Sequence, residues 1–125
     1  LFTSMLSTVK VNKSWLRKAA AGGFINATDC ADYLTKKGMP FRDAYRVSGK
    51  IVAYCIEHDT DFEHLSLDEY KSFSSLFEDD VYSAVDLDNC VNSRKVYGGP
   101  SRESVLHQIN IVKKHIEKIK SEIKI

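Results

Sequence analysis

A cluster of histidines and carboxylates in the middle of the 125-residue chain is the first group of side chains that could do chemistry. His58 and His64 lie among Asp59, Asp61 and Glu63, a composition that could bind a divalent metal ion. Their separation, however, does not place two ligands on one helical face. No cysteine and no recognisable turn accompanies them. We therefore interpret the segment as a solvated acidic loop and expect no metal site.

The cysteines are the second group of potentially reactive side chains. Cys90 lies near Arg94 and Lys95, whose charges could lower its pKa, but a catalytic thiol also needs a positioned base, and the sequence shows none. Cys30 and Cys55 fall on apolar stripes, as small core residues do. The chain has three cysteines and no Cys-x-x-Cys pair, which argues against a disulfide framework and for a reducing compartment.

Two features near the end of the chain could bind anions. Gly98 and Gly99 precede a helix start, where backbone N–H groups can hold an anion, but the Lys-Ser/Thr signature of a phosphate loop is absent. A turn-and-cap role is therefore favoured for them. The last helix is basic and could bind nucleic acid, but acids interrupt it and no aromatic residue is interleaved, so we expect a solvated face. Its lysines are Lys113, Lys114, Lys118, Lys120 and Lys124, and its acids are Glu117 and Glu122.

Start and stop signals for two helices lie between residues 26 and 56. Asn26 is a good N-cap, and Asp29 can answer it as in a capping box. Gly38 can end the first helix in a left-handed conformation, and Pro40 is predicted at the first position of the second helix. The apolar stripe of the first helix has the spacing i, i+3, i+4, i+7 and consists of Ala27, Cys30, Ala31 and Leu34.

The second helix is predicted to bury one face and to approach a neighbouring backbone closely. Ser48 and Gly49 are small enough for such an approach, which would offset the cost of about 1 kcal/mol that glycine carries in a helix interior. An ion pair or hydrogen bond between Asp29 and Arg42 is expected to connect the two helices. The residues predicted to be buried are Phe41, Ala44, Tyr45, Ser48, Ile51, Val52 and Cys55.

Shorter signals indicate further helices. Asn12 can cap a short helix that ends before two glycines, and Ser66 with Glu69 forms a capping box. Another short helix is predicted over residues 78–85. Residues 86–99 lack clear periodicity and are predicted to form the longest loop.

The predicted elements define an all-α fold, a compact irregular or orthogonal bundle of five to six helices. Residues 1–11 are expected to be the end of a helix that began upstream, and residues 12–125 to form one helical domain. No apolar run is long enough to cross a membrane. The last helix has a heptad-like apolar seam, which could pack on another part of a larger protein or pair with a partner helix. The seam consists of Val105, Ile109, Val112, Ile116, Ile119 and Ile123.

Charge is distributed in blocks along the chain, although the net charge is only +1. Residues 1–54 carry +6, residues 55–90 carry −10 and residues 91–125 carry +5. Such blocks can attract one another inside a fold, face neighbouring subunits, or simply be solvated faces of surface helices.

Two stretches of this sequence resemble the C-terminal part of argininosuccinate lyases. The family pattern is close to Ala-Thr-Asp-Leu-Ala-Asp-Tyr-Leu, then Lys-Gly-x-Pro-Phe-Arg-x-Ala-His with a glycine four residues on, and later Ser-Val-x-x-Arg-x-x-x-Gly-Gly. The resemblance covers roughly residues 12–109. The matching residues, expected to be structural, are Asn26, Ala27, Thr28, Asp29, Asp32, Tyr33, Leu34, Gly38, Pro40, Phe41, Arg42, Gly49, Ser93, Arg94, Gly98 and Gly99.

The sequence departs from the family pattern at three positions. Tyr45 stands where the family usually has histidine, which puts in doubt any proton-transfer role there. Cys30 stands in place of leucine, a conservative core change, and Pro100 replaces the usual threonine after the two glycines.

The resemblance implies a function as well as a fold. Argininosuccinate lyases are cytoplasmic homotetramers that split argininosuccinate into arginine and fumarate by β-elimination, without a cofactor. The family's mobile Gly-Ser-Ser-x-Met-Pro loop and its catalytic histidine are absent from this sequence. We therefore expect no catalytic, cofactor-binding or metal-binding residue here, and a structural role near an active site built by the rest of the lyase chain and its subunits. The alternative is an independent helical interaction module that uses the apolar seam over residues 105–123.

Overall fold

The computed structural model describes residues 1–123 and is helical throughout, with no strand among them. Lys124 and the end of the predicted domain at residue 125 lie outside the described residues. The all-α prediction is confirmed, but the described part of the chain has more helices than the five or six predicted, because several are only one or two turns long. The helices are α1 (Phe2–Ser7), α2 (Lys13–Ala21), α3 (Ala27–Lys36), α4 (Phe41–Glu57), α5 (Leu67–Phe73), α6 (Val81–Val85), α7 (Leu87–Asn92) and α8 (Arg102–Ile123). None of these eight is both long and apolar enough to traverse a bilayer.

The core is built on the packing of α3 against α4, the most extensive contact between helices. Leu34 of α3 and Ile51 of α4 are fully buried, and α6 also packs against α3. The aromatic rings of Phe62, Tyr70 and Phe77 extend this core towards α5, and all three are fully buried. The stripe predicted for α3 is buried at three of its four positions, with Ala27 only partly covered.

The turn between α3 and α4 follows from Gly38 and Pro40. Gly38 has a φ of +98°, and its N–H donates to the carbonyl of Thr35 over 3.0 Å, while the N–H of Met39 donates to Leu34 over 3.0 Å. This is the paired hydrogen-bond arrangement with which glycine ends a helix, as predicted. Pro40 is the N-cap of α4 rather than its first residue, because its extended ψ of 135° precedes the helix.

The sequence predicted that Ser48 and Gly49 of α4 would both lie at a close contact with a neighbouring backbone. Only Ser48 does so. Ser48 is buried and donates from its hydroxyl to the carbonyl of Ala27 over 2.6 Å, so it lies at the close contact with α3. Gly49 is exposed, and a Cβ added to it would meet nothing within 4 Å. The prediction of close packing at Gly49 is therefore wrong within the described residues.

The predicted buried face of α4 is also too wide. Ala44, Ser48, Ile51 and Cys55 are buried, and Val52 is partly covered. Phe41 and Tyr45 are 54% and 64% exposed, so their predicted burial is wrong. Their positions lie beside the buried stripe, where no other described helix covers them.

Residues 78–99 contain two short helices where we predicted one helix and a long loop. α6 begins at Val81, and α7 begins directly after Asp86. The side chain of Asp86 accepts a hydrogen bond from the N–H of Asn89 over 2.8 Å, which caps α7. Leu87 and Cys90 are buried one turn apart. The capping residue and this short apolar pair were the signal for α7 in the sequence.

The first two helices bury no residue of their own. The predicted cap of α2 is present, because the side chain of Asn12 accepts from the N–H of Trp15 over 3.1 Å. Arg17 then reaches Glu63 over 3.4 Å and Asp88 over 3.3 Å. These partners belong to the acidic block, so opposite charges connect α2 to the rest of the domain.

The last helix is attached to the domain only through its first turn. Ser101 is buried, and its hydroxyl oxygen accepts a hydrogen bond from the N–H of Ser104 over 3.2 Å. Ser104 is the only buried residue of α8. The residues of the predicted apolar seam are between 40% and 59% exposed. Within the described residues, therefore, the seam has no partner.

Candidate functional site

An ion pair between Asp29 and Arg94 connects the two stretches that the sequence singled out. Nη2 of Arg94 donates to Oδ2 of Asp29 over 2.8 Å, and Nη1 of Arg94 donates to the backbone carbonyl of Cys90. The Asp29 side chain is 16% exposed, and its carboxylate raises the pKa of Arg94. The expected contact between Asp29 and Arg42 is wrong, since Arg42 is exposed and has no ion pair among residues 1–123. Asp29 therefore pairs with Arg94, far along the chain, and not with Arg42 of the neighbouring helix.

A cleft of about 370 Å³ lies beside this ion pair, between α3 and the α6–α7 segment. Its polar groups are two carboxylates, one amine, one amide and three hydroxyls, so it can form hydrogen bonds and position charged groups. Its lining residues are Asp29, Asp32, Tyr33, Lys36, Ser83, Ala84, Asn89, Cys90 and Ser93. No histidine is among them, and the lining therefore offers no imidazole base.

Cys90 is the only thiol that lines this cleft. Its pKa is raised, whereas its charged neighbours in the sequence suggested that it would be lowered. Burial raises the pKa of Cys90 to about 12, with the nearby carboxylate of Asp29 adding to the effect and Arg94 opposing it. Its sulfur donates a weak hydrogen bond to the carbonyl of Ala84 over 3.3 Å. A thiol with such a pKa is protonated at neutral pH, so Cys90 is a packing residue rather than a nucleophile.

Asn26 lies where a helix cap was predicted, but its side chain has a different role. No cap hydrogen bond is made by this side chain. Instead, Nδ2 of Asn26 donates to the carbonyl of Val85 over 2.7 Å, and Asn26 is only 4% exposed. The amide therefore bridges the start of α3 to the end of α6. The predicted capping box with Asp29 is wrong, because both side chains turn to partners far along the chain.

A second polar network holds α3 to the acidic block. The hydroxyl of Tyr33 donates to Asp80 and accepts from the N–H of Glu78 over 3.1 Å. Lys37 forms ion pairs with Glu78 and, over 3.0 Å, with Asp80. The hydrogen bond from Tyr33, followed by that from Lys37, lowers the pKa of Asp80. Sequence analysis missed this network, because nothing local indicates that Tyr33 and Lys37 meet residues 78–80.

The histidines of the acidic segment take part in local contacts. Nδ1 of His64 lies 2.7 Å from Oδ1 of Asp61, and this contact raises the pKa of His64. The same oxygen accepts from the N–H of Glu63 over 2.9 Å, so Asp61 organises a turn that the sequence analysis did not recognise. The ring of His58 stacks on Tyr54 at a centroid distance of 3.9 Å. In residues 1–123, three or more metal-binding side chains nowhere come together.

The two glycines before α8 form a tight turn. Gly98 has a φ of +80°, and the N–H of Gly99 donates to the carbonyl of Val96 over 2.8 Å. A Cβ on Gly99 would lie 2.3 Å from the carbonyl oxygen of Arg94. The turn therefore leaves no room for a side chain at Gly99. It packs directly against the backbone of Arg94, the residue that pairs with Asp29.

The family-motif residues are not gathered in one place. Asp29, Tyr33, Arg94 and their partners connect α3 to the second half of the chain. Phe41, Arg42 and Gly49 lie instead on the outer side of α4, away from the cleft.

The class of protein that this fold and this site define is an all-α domain in which a buried helical pair is joined to later segments by polar contacts. A family model described as "Argininosuccinate lyase C-terminal" matches residues 24–92, more than half of the chain. The chain belongs to this argininosuccinate lyase C-terminal family.

Curated relatives agree with this assignment. An argininosuccinate lyase of Clostridium beijerinckii is 54% identical over 115 residues, which are 92% of this chain and 25% of the relative. One of Acetivibrio thermocellus is 51% identical over 109 residues, 87% of this chain and 24% of the relative. One of Desulforamulus reducens is 48% identical over 119 residues, 95% of this chain and 26% of the relative. The chain therefore spans about a quarter of the length of the relatives it matches.

Proposed function

We propose that this chain is the accessory C-terminal domain of an enzyme that cleaves argininosuccinate to arginine and fumarate by β-elimination. The observation that carries this proposal is the high identity to argininosuccinate lyases over nearly the whole chain, confined to about a quarter of each relative. The role of the domain is structural: it lies next to the active site and caps it.

The residues of the chain support a role in positioning rather than in catalysis. Most polar groups of the cleft already have partners within the domain, as in the pair of Asp29 with Arg94 and that of Asn89 with Ser83. Cys90 is protonated at neutral pH because its pKa is raised to about 12. The reaction needs a base that removes a proton from carbon and an acid that assists the departing nitrogen. Under this proposal, both groups come from the rest of the lyase.

The partners of the chain follow from the same proposal. They are the remainder of the lyase polypeptide and the other subunits of a cytoplasmic homotetramer, with argininosuccinate as the substrate of the complete enzyme. No cofactor, nucleic acid or membrane takes part.

The experiment that tests the proposal compares the purified 125-residue chain with a chimera. In the chimera, this chain replaces the matching quarter of the Clostridium beijerinckii relative, with which it is 54% identical. We expect the free chain to give a helical circular dichroism spectrum and no fumarate from argininosuccinate, and the chimera to release fumarate. Fumarate release by the free chain, or a folded chimera without activity, would contradict the proposal.

A second candidate function is an independent interaction module that acts through α8. The observation that favours it is the exposure of the apolar seam, for example 45% at Ile116 and 40% at Ile119. Analytical ultracentrifugation of the free chain tests this candidate. A monomer that is unchanged when Ile116 and Ile119 are replaced by serine counts against it.

A further inference from the structure

A second apolar stripe runs along α4 beside the face that packs on α3. Phe41, Tyr45 and Ile56 are 54%, 64% and 66% exposed, and Val52 between them is partly covered. Their spacings of four, seven and four residues place them on one side of the helix. Single exposed apolar residues are ordinary on a protein surface, but a stripe that continues from a buried face is typical of a contact surface.

Gly49 lies in this stripe between Tyr45 and Val52. It is exposed, and an added Cβ would meet nothing within 4 Å, so no described part of the chain requires a glycine there. Glycine is the least favourable residue in a helix interior apart from proline. Its common use is to let another backbone approach closely. A glycine in the middle of an exposed apolar stripe therefore indicates a crossing point for a second helix.

Along the N-terminal half of the stripe, its edge is positively charged. Arg42 and Arg46 follow it one turn apart on the side away from the core. Arg46 pairs over 3.5 Å with Asp43 of its own helix, and Arg42 has no ion-pair partner within residues 1–123. A complementary helix would place carboxylates opposite this edge.

The size of the stripe indicates what kind of occupant it takes. Three of its four apolar side chains are more than half exposed and Val52 is partly covered, which leaves on the order of 400 Å² of side-chain surface open to a partner. A stable complex between separate proteins buries about 800 Å² on each partner. A contact of half that size suits segments held together in one polypeptide, where the cost of association is lower. The relatives have about three quarters of their length outside the part that matches this chain.

We infer that the stripe of Phe41, Tyr45, Gly49, Val52 and Ile56 docks a helix from the other three quarters of the lyase polypeptide. This inference rests on the proposed function. The docked helix has an apolar stripe of its own and crosses α4 at Gly49. It carries aspartate or glutamate on the side that faces Arg42 and Arg46.

The experiment measures the accessibility of a thiol placed on the stripe. Ile56→Cys puts a thiol in the stripe, and Glu57→Cys puts one at the next, exposed position outside it. The native cysteines are buried, and burial raises the pKa of Cys30 to about 12 and of Cys55 to about 11, so they react slowly. Each variant is made in the free chain and in the Clostridium beijerinckii chimera, and alkylation by iodoacetamide is followed by peptide mass spectrometry.

We expect the thiols at positions 56 and 57 to be alkylated at similar rates in the free chain. In the chimera, the rate at position 56 should fall at least tenfold while the rate at position 57 changes less than threefold. Equal rates at both positions in an active chimera would overturn the docking inference and leave the proposed function standing. A folded but inactive chimera would contradict the proposed function, whichever position is protected.

Two further measurements separate the docked helix from other occupants. If the free chain dimerises and position 56 is protected in that dimer, the occupant is a second copy and the inference is wrong. Gly49→Leu should leave the melting temperature of the free chain unchanged or higher, because the site is open, and should lower that of the chimera. A chimera with an unchanged melting temperature would contradict a helix crossing at Gly49.

Discussion

Arg94 donates from Nη2 to Oδ2 of Asp29 over 2.8 Å, although the two residues are 65 positions apart in the chain. This contact connects the start of α3 to the segment after α7, because Asp29 lies in the first turn of α3 and Arg94 follows the end of α7. It also joins the two stretches that carry the family resemblance.

Removal of Arg94 should destabilise the free chain. Arg94→Met leaves the largely buried carboxylate of Asp29 without its partner, and we expect a loss of about 1–2 kcal/mol in the free energy of unfolding. The matched control is Arg46→Met, which removes an exposed pair within α4 and should cost less than about 0.5 kcal/mol. Urea unfolding followed by circular dichroism measures both. Equal losses for the two variants would show that the Asp29–Arg94 pair contributes no more than a surface pair.

The bridge made by Asn26 can be separated from a capping role by a change to aspartate. Aspartate caps helices as well as asparagine does, but it cannot donate to the carbonyl of Val85, 2.7 Å from Nδ2. We expect Asn26→Asp to cost about 2–3 kcal/mol at pH 7, because an unpaired carboxylate is buried against a carbonyl oxygen. Asn12→Asp is the control, since Asn12 only accepts a hydrogen bond, and it should change stability by less than about 0.5 kcal/mol. If Asn26→Asp leaves the free energy of unfolding in urea unchanged, the hydrogen bond from Asn26 to Val85 is not required for stability.

The same substitution should have opposite effects at two glycines. In Gly99→Ala, the new Cβ would lie 2.3 Å from the carbonyl oxygen of Arg94, so the turn must open, at a cost of about 2 kcal/mol or more. In Gly49→Ala, the new methyl group meets open space inside a helix, and we expect a gain of about 0.5–1 kcal/mol. Thermal unfolding of the two free-chain variants checks the signs. A gain for Gly99→Ala would contradict the close approach of the turn to Arg94.

Stability should depend on pH through Asp80. Hydrogen bonds from Tyr33 and Lys37 lower the pKa of this carboxyl in the folded chain below its ordinary value of 3.8. A carboxyl with a lowered pKa stabilises the fold above its unfolded pKa, and this contribution is lost as the pH falls through the folded pKa. We therefore expect the stability of the free chain to decline below about pH 4. Urea unfolding at pH 2.5, 4 and 7 measures the decline.

The variants of this pH series assign the decline to Asp80. Asp80→Asn should flatten part of the acid decline, because the substituted side chain does not titrate. Asp79→Asn, at the exposed neighbouring position, is the control and should leave the decline unchanged. If both variants keep the full decline, other carboxyls such as Glu69 are responsible, since hydrogen bonds from Ser66 and Tyr54 lower the pKa of that group too.

The ends of several helices could be predicted from the sequence because their causes are local. Ser66 and Glu69 form the predicted capping box, and Gly38 ends α3 with the predicted positive φ. In each case, the donor and the acceptor are separated by only a few residues, so the type of side chain is enough to predict the contact. Asp86 is the same kind of signal for α7, but a helix of six residues has too few apolar positions to show a helical period.

The candidate site could be predicted only in part. The sequence identified Asp29 and Arg94 as members of two recognisable stretches, but it paired Asp29 with Arg42, the nearest cation on the next helix. It assigned Asn26 to a cap for the same reason. The observed partners of Asp29 and Asn26 are 65 and 59 positions away, at distances that helical periodicity does not describe.

The sequence by itself determined the helical class, most helix boundaries and the family, because these depend on local patterns and on the order of residue types. Only the tertiary structure decided which side chains meet across the domain and which apolar residues are left outside the core. Phe41 and Ile51 both lie on apolar positions of α4, yet Phe41 is 54% exposed and Ile51 is fully buried. The physical reason is that periodicity shows which residues share a side of a helix, whereas burial depends on whether another segment covers that side.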